Sequence, residues 1–282
     1  MRGRAFFAAL MLVASGGVDV RSPAQPIVVG DHYVAMGSSF AAGPGITTPA
    51  ETPPTRCGRS SDNYAHQLAR RLQLVLTDVS CGGATTGHLL GAWNELPPQI
   101  EALMPETRLV TITIGGNDVG YIGGLMAASC SGEVLTAMCR GLAARRGTAS
   151  LVEPDEAAWQ LLAARLDLIA AEVRRRSPGA RLIFVDYLTI LPSRLPCSAA
   201  PLDIAGAKRA RAKAARLAAV TARVARKAGA GLIRASRLSA MHDACAAAPW
   251  VKGLVADGVP YHPNLAGMSA IADALEKEVR TK

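Results

Sequence analysis

The amino-acid sequence predicts an α/β domain with a parallel five-stranded sheet covered by helices on both faces, a three-layer α/β/α sandwich. Two observations predict it. Strand-like segments alternate with helical ones along the chain, and most of the strand-like segments are short runs rich in Val, Ile and Leu. Strands that helices cover on both faces have such runs, whereas half-exposed strands alternate apolar and polar residues. The 282 residues are enough for one such domain with a large core.

The elements follow in chain order without an internal repeat or a linker. The predicted strands are Tyr33–Met36, Leu74–Val79, Leu109–Ile114, Leu182–Tyr187 and Leu232–Ala235. The predicted helices are Ser60–Leu72, Pro154–Arg176, 204–230 and Asn264–Arg280. The Pro-, Gly- and Thr-rich stretch 43–58 and the segment 122–153 are predicted to be loops of the same domain.

The N-terminus has the pattern of a secretory signal peptide. A basic "MRGR" precedes the apolar run Ala5–Ala14, and small residues follow in "SGG". Ten apolar residues are too few to span a bilayer as a helix. We therefore expect residues 1–25 to be a signal peptide, residues 26–282 to form the mature domain, and the protein to be secreted. The alternative is an uncleaved membrane anchor.

The cysteine count agrees with export. The chain has six cysteines, without a CxxC pair and without histidines at zinc-site spacing. In an oxidising compartment an even six indicates three disulfides, and the sequence alone permits fifteen pairings. The pairing that we expect joins neighbours along the chain and closes short loops: Cys57–Cys81, Cys130–Cys139 and Cys197–Cys245.

The net charge of +9 is concentrated in one predicted helix. Between residues 204 and 230 the chain has eight Lys and Arg residues and no acid, beside a stripe of small and apolar residues. This pattern is typical of a surface helix with a solvated basic face. The alternative is peripheral contact with an anionic membrane surface. Aromatic residues are only 4% of the chain and do not alternate with the basic ones, which argues against a nucleic-acid partner.

Side chains suited to acyl transfer follow three predicted strands and precede the last helix. Ser39 follows the first strand, Gly83 the second and Asn117 the third, while His262 lies just before the C-terminal helix. In open parallel sheets the carboxyl ends of the strands share one edge, where binding sites form. A hydroxyl nucleophile, a backbone N–H, a side-chain amide and an imidazole base at one edge are the groups that acyl transfer needs.

Each of these residues has a simpler structural explanation on its own. A serine after a strand is usually a helix cap, and an asparagine after glycines is usually a turn residue. His262 can simply open the last helix. The chain has no G-x-S-x-G motif, which disfavours the α/β-hydrolase fold, and neither a G-x-G-x-x-G motif nor a P-loop after a strand.

Taken together, the motifs resemble the SGNH hydrolase superfamily of GDSL-type esterases and lipases, especially its secreted actinobacterial branch with three disulfides. The first block, G-D-S-(Y/F)-x-x-G, is similar to "GSSFAAG" at 37–43, and the third block, G-x-N-D, to "GGND" at 115–118. The fifth block, H-P-N, matches 262–264, and the second-block glycine corresponds to Gly83 in "CGGATT". The stretch 57–69, "CGRSSDNYAHQLA", also resembles that branch.

The resemblance implies a flavodoxin-like sandwich, sequential disulfides and an ester hydrolase without metal or cofactor. It also implies that Ser39 is the nucleophile and His262 the base. The oxyanion would be held by the N–H groups of Ser39 and Gly83 and by the Asn117 amide.

The chain departs from the family pattern at two positions. Ser38 stands where the first block has its aspartate, which puts the local turn geometry in question. Val259 stands where D-x-x-H has its acid, and the nearest acid is Asp257. The imidazole needs an acceptor on Nδ1 to fix its tautomer. We expect the Val259 main-chain carbonyl to be that acceptor, with Asp257 as the second candidate.

The sequence therefore predicts a secreted, monomeric serine ester hydrolase that acts on an ester small molecule, preferably a lipid or fatty-acyl ester. One alternative is a carbohydrate-ester deacetylase of the same fold. Another is an inactive relative that binds the cell envelope, and a third is a basic protein that binds surfaces through residues 204–230.

Overall fold

A sheet of five parallel strands forms the centre of the computed structural model, which describes residues 26–130, 139, 153–194, 197–254 and 258–281. The strands are β1 (His32–Gly37), β2 (Val75–Asp78), β3 (Thr107–Thr113), β4 (Arg181–Val185) and β5 (Gly231–Ile233). Their order is β2-β1-β3-β4-β5. The chain direction across the sheet reverses at β1, so the carboxyl ends of β1 and β3 border the crevice where α/β folds place their sites.

Helices cover both faces of this sheet. They are α1 (Ser39–Ala42), α2 (Tyr64–Leu72), α3 (Thr86–Leu90), α4 (Tyr121–Ser129), α5 (Glu156–Arg176), α6 (Ile204–Ala228), α7 (Ala235–Leu238) and α8 (Leu265–Arg280), with a 3₁₀ turn at Gln99–Ala102. Helix α2 packs on α8, while α5 packs on α3 and α6, and α6 on α4. The predicted α/β/α sandwich is confirmed.

The five predicted strands all form, but two predictions about helices are wrong. The segment 122–153, predicted to be a loop, contains α4. The helix predicted from Ser60 begins at Tyr64, because the Asn63 side chain accepts hydrogen bonds from the N–H groups of Ala65 and His66 and caps the helix there.

The long basic helix α6 lies nearly where it is predicted. It begins after Asp203, whose carboxylate accepts from Gly206 N–H, and it ends at Gly229, which has a left-handed φ of 62°. Its Lys213 is buried and paired with Glu153 at 2.9 Å. None of the described helices is long and apolar enough to cross a membrane.

Three disulfides join neighbouring cysteines along the chain: Cys57–Cys81, Cys130–Cys139 and Cys197–Cys245. The first connects the loop before α2 to the turn that follows β2. Next to it, Gly82 N–H donates to the Cys57 carbonyl at 2.9 Å. This crosslink therefore fixes one side of the crevice. The predicted signal peptide, residues 1–25, lies outside the described residues.

Candidate active site

Ser39 lies at the carboxyl end of strand β1, at the first position of α1. The chain turns at Gly37, where φ is 143° and a Cβ would lie 2.3 Å from the Thr113 carbonyl oxygen of β3, so only glycine fits. Ser38 N–H donates to the same carbonyl at 2.9 Å. These contacts fasten the turn against β3 and leave Ser39 facing the crevice, where it is 9% exposed.

The His262 imidazole contacts this serine. Nε2 of His262 lies 2.7 Å from Ser39 Oγ, although the two residues are 223 positions apart in the chain. His262 is 6% exposed and packs beside the Phe40 ring at 5.2 Å between ring centres. Asn264 caps the following helix α8 by accepting from Gly267 N–H at 3.0 Å. The cap fixes where the helix begins and so holds the histidine at the crevice.

The other ring nitrogen of His262 contacts a main-chain carbonyl, but not the predicted one. Nδ1 lies 2.7 Å from the carbonyl oxygen of Pro260, two residues upstream, so the expectation that Val259 supplies this acceptor is wrong. A carbonyl oxygen only accepts, so Nδ1 carries the proton and Nε2 is free to accept from Ser39. The other predicted candidate, Asp257, lies outside the described residues.

The backbone conformation of Tyr261 explains why the Pro260 carbonyl, and not that of Val259, contacts Nδ1 of His262. Its φ of 58° is in the left-handed region, and this turn brings the Pro260 carbonyl back over the imidazole. A non-glycine residue in this region costs about 1–3 kcal/mol and persists only where its surroundings hold it. The fully buried Tyr261 hydroxyl lies 2.6 Å from Ser129 Oγ, which donates its own proton to Leu125 O in α4. Tyr261 therefore donates to Ser129.

Burial is the main influence on the pKa of His262. It lowers that pKa to about 4, because the charged imidazolium loses hydration inside the protein. The Pro260 carbonyl raises it, and the positive charge of Lys252 lowers it. Lys252 is fixed nearby, because its N–H donates to the His262 carbonyl and its Nζ to the Gly45 carbonyl, both at 2.9 Å. His262 is thus neutral at physiological pH and available as a base.

The predicted oxyanion donors lie on three separate turns at this edge. Gly83 is exposed in the turn after β2, which Cys81 N–H anchors to the Gly37 carbonyl at 3.0 Å. Within the described parts of the chain, neither Ser39 N–H nor Gly83 N–H donates to a protein acceptor. Asn117 Nδ2 donates to the Ala84 carbonyl at 2.8 Å, which uses one of its two N–H groups and fixes the amide plane.

Asp118 ties the Asn117 turn to the turn after β2. Its carboxylate accepts from Thr86 N–H at 3.1 and 3.0 Å and also from the Thr86 hydroxyl. Thr86 is the first residue of α3, directly after the turn that carries Gly83. The amide of Asn117 and the N–H of Gly83 are thereby held in a fixed relation.

Tyr187 is a residue of this site that the sequence reasoning missed. Its buried hydroxyl accepts from Gly116 N–H at 2.8 Å and lies 3.4 Å from Ser38 Oγ. Its ring packs on Phe40 with centres 4.6 Å apart. A Cβ at Gly116 would lie 2.6 Å from the hydroxyl, so this close approach needs glycine. Tyr187 thus connects the serine turn to the Asn117 turn at the position where the family aspartate is absent.

The part of the chain that the structure describes contains no group of three His, Cys, Asp or Glu side chains placed to bind a metal ion. The serine hydroxyl and the imidazole are in hydrogen-bond contact, and the turns of Gly83 and Asn117 lie at the same edge of the sheet. Groups of these kinds are the ones that acyl transfer requires.

Sequence comparison with known proteins finds a matching protein family and several similar lipases. The profile described as the GDSL-like lipase/acylhydrolase family matches residues 35–270. A Streptomyces coelicolor protein named Lipase 2 is 34% identical over 261 residues, which cover 89% of this chain and 86% of that protein. A lipase of Streptomyces rimosus is 28% identical over 251 residues, covering 86% and 85% of the two chains.

Solved structures agree with these sequence matches. The crystal structure of an extracellular lipase from Streptomyces rimosus is similar with a TM-score of 0.71 at 26% identity, and the match covers 88% of this chain and 99% of that one. A phospholipase A1 from Streptomyces albidoflavus gives the same TM-score and coverage at 24% identity, which shows the shared fold. The resemblance inferred from the sequence blocks is confirmed.

Proposed function

The chain belongs to the GDSL-like lipase/acylhydrolase family and is a carboxylic ester hydrolase, and we propose that Ser39 is its nucleophile and His262 its general base. The observation that carries the proposal is the 2.7 Å contact between Ser39 Oγ and Nε2 of a buried, neutral imidazole. A base within hydrogen-bond distance of a hydroxyl removes its proton as the oxygen attacks.

In the first half of the reaction, Ser39 Oγ attacks the ester carbonyl while Nε2 of His262 takes the proton. The resulting imidazolium keeps its Nδ1–H bond to the Pro260 carbonyl, which holds the ring in place. The oxyanion accepts from Ser39 N–H, Gly83 N–H and the second N–H of Asn117. His262 then protonates the leaving alcohol, and an acyl group remains on Ser39.

In the second half, water attacks the acyl-enzyme by the same route. His262 takes a proton from the water, the same donors hold the second oxyanion, and the proton returns to Ser39 Oγ as the acid leaves. The Pro260 carbonyl is neutral, so it stabilises the imidazolium less than a carboxylate would.

The neighbouring serines provide a matched test. A fluorophosphonate probe should label the native protein and the Ser38→Ala variant but not Ser39→Ala. Ester hydrolysis by Ser39→Ala should fall at least about 1,000-fold, as expected when a catalytic nucleophile is removed. Labelling that persists in Ser39→Ala would refute the assignment of the nucleophile, and labelling that never appears in the native protein would favour an inactive, binding relative.

We propose lipid or fatty-acyl esters as the substrate class. The support is that the relatives from Streptomyces coelicolor and Streptomyces rimosus are named lipases. Deacetylation of a carbohydrate is the alternative. Hydrolysis of p-nitrophenyl esters of increasing chain length, beside an acetylated oligosaccharide, decides between them.

We also propose that the protein is secreted. Secretion is supported by the three disulfides, which persist in oxidising compartments, and by a structural relative described as extracellular.

Membrane contact through residues 204–230 and a monomeric state stay predictions. Three cations of α6 are paired with acids: Lys213 with Glu153, Arg216 with Glu156 and Lys227 with Asp167. These pairs reduce the charge that the helix offers to an anionic surface.

A further inference from the structure

A cavity of about 420 Å³ lies beside the Gly83 turn, outside the residues that hold Ser39 and His262. Its volume is within the range of about 300–1,000 Å³ that is usual for small-molecule sites. The carbon-rich side chains of its wall come from the end of β2, the loop before the 3₁₀ turn and that turn itself. They are Val79, Trp93, Leu96, Pro97, Pro98 and Ala102.

The cavity and the oxyanion turn share a wall. Cys81, two residues before Gly83, lines the cavity. A methyl group built on Gly83 would lie 3.3 Å from Cη2 of Trp93, so the indole edge lies directly against the glycine. A substrate carbonyl that accepts from Gly83 N–H therefore lies next to the indole that borders the cavity.

Trp93 is held rigidly in this position. Its ring is stacked on the His88 imidazole with centres 4.2 Å apart, and the Arg56 guanidinium lies over the ring at 4.1 Å. Trp93 and Leu96 exchange backbone hydrogen bonds of 2.9 and 3.1 Å across a tight turn, which brings both side chains to the same wall. The wall is thus formed before any ligand arrives.

Four of the polar side chains around the cavity, those of Arg59, Asp78, His88 and Gln99, are bonded to the protein itself, and the fifth, Glu101, is exposed to solvent. Arg59 donates to Glu51 and to the Ser80 carbonyl. The Gln99 amide accepts from Gly37 N–H through its oxygen and donates to the Gly37 carbonyl through its nitrogen. The Asp78 carboxylate accepts from Asn63 and from Ser80. His88 Nδ1 accepts from Thr85 N–H. Because these groups are engaged, the cavity favours an apolar occupant over a polar one.

We propose that this cavity holds the hydrocarbon chain of the acyl group whose carbonyl is attacked by Ser39. The inference rests on the proposed function and adds to it the location of the acyl chain and a preference for long chains. Each methylene buried there contributes transfer free energy equivalent to about a fourfold rise in kcat/KM. The rise continues until the cavity is filled, and the chain length that fills it is the optimum.

The test is a chain-length series of p-nitrophenyl esters from acetate to hexadecanoate, measured on the native protein and three variants. Ala102→Phe adds a ring to the cavity wall, and the ratio of kcat/KM for dodecanoate to that for acetate should fall at least tenfold. Ala92→Phe adds the same ring at an exposed position of the loop before the 3₁₀ turn that does not line the cavity, and the ratio should stay within about twofold.

Leu96→Ala provides a second, independent variant that creates space and should move the optimum to longer chains. An unchanged ratio in a folded Ala102→Phe protein, or an unchanged optimum in Leu96→Ala, would overturn the proposal. So would a flat chain-length series on the native protein. Fluorophosphonate labelling of Ser39 in the same samples separates the two proposals, because labelling persists if only the acyl site is misplaced and is absent if the nucleophile is wrong.

Discussion

The low pKa of His262 has a measurable consequence at acid pH. At pH 5 an imidazole with a pKa of about 4 is about 90% neutral, whereas one with the ordinary value of about 6.5 is about 3% neutral. Only the neutral ring accepts the Ser39 proton, so activity at pH 5 should be about 30-fold higher than an ordinary histidine would allow. We therefore expect kcat/KM to fall on the acid side with a midpoint near pH 4.

The assay is kcat/KM for p-nitrophenyl acetate from about pH 3.5 to about pH 8, with p-nitrophenol release followed at its isosbestic wavelength. Circular dichroism at each pH reports whether the protein stays folded. Between the two pKa values the unfolded chain binds the proton more readily, so stability falls as pH falls through this window, by up to about 3 kcal/mol from this residue. A midpoint near pH 6.5 in a folded protein would refute the reasoning.

Lys252 allows the cause of the shift to be checked. Its charge disfavours the imidazolium, so Lys252→Gln should raise the pKa of His262 and move the acid midpoint to higher pH. Lys277→Gln removes an exposed charge in the last turn of α8 and is the matched control, with an unchanged midpoint expected. A downward shift or no shift in Lys252→Gln would show that its charge does not act on this ring.

Three substitutions test other contacts of the site. Asn117→Ala should lower kcat about 100- to 1,000-fold in steady-state kinetics, and a loss below tenfold would exclude the amide from the oxyanion hole. Tyr187→Phe leaves the Gly116 N–H without its acceptor, so urea unfolding should show about 1–3 kcal/mol of lost stability, and an unchanged midpoint would contradict this. Tyr261→Phe removes the bond to Ser129, so kcat should fall with little change in KM, and a rise in KM alone would argue against a role in holding His262.

Much of the fold could be predicted because both sides of the sheet are covered. In strand β3 the residues on both faces are buried, with Leu109, Val110 and Ile112 fully so, as expected for a strand between two helical layers. Helix α4 could not be predicted in this way. Its sequence, "YIGGLMAAS", contains two glycines and no amphipathic stripe, and the structure stabilises it by packing on α6.

The sequence blocks predicted four site residues, and the structure brings two of them, Ser39 and His262, into direct contact. The acceptor for Nδ1 could not be predicted, because the choice between Val259 and Pro260 depends on one backbone angle. That angle is the φ of Tyr261, which is held by a contact with a residue 132 positions away. Sequence spacing near His262 carries no information about such a contact.

The two departures from the family pattern have related physical consequences. A carboxylate on Nδ1 would stabilise the imidazolium and raise the pKa of His262, whereas the Pro260 carbonyl is neutral and raises it less than burial lowers it. The ring is then a weaker base but stays neutral in acid. The hydroxyls of Tyr187 and Tyr261 supply fixed contacts on both sides of the Ser39–His262 pair, one beside Ser38 and one beside Pro260. At both departures the contacting groups are therefore neutral: the Tyr187 hydroxyl beside Ser38 and the Pro260 carbonyl on the imidazole.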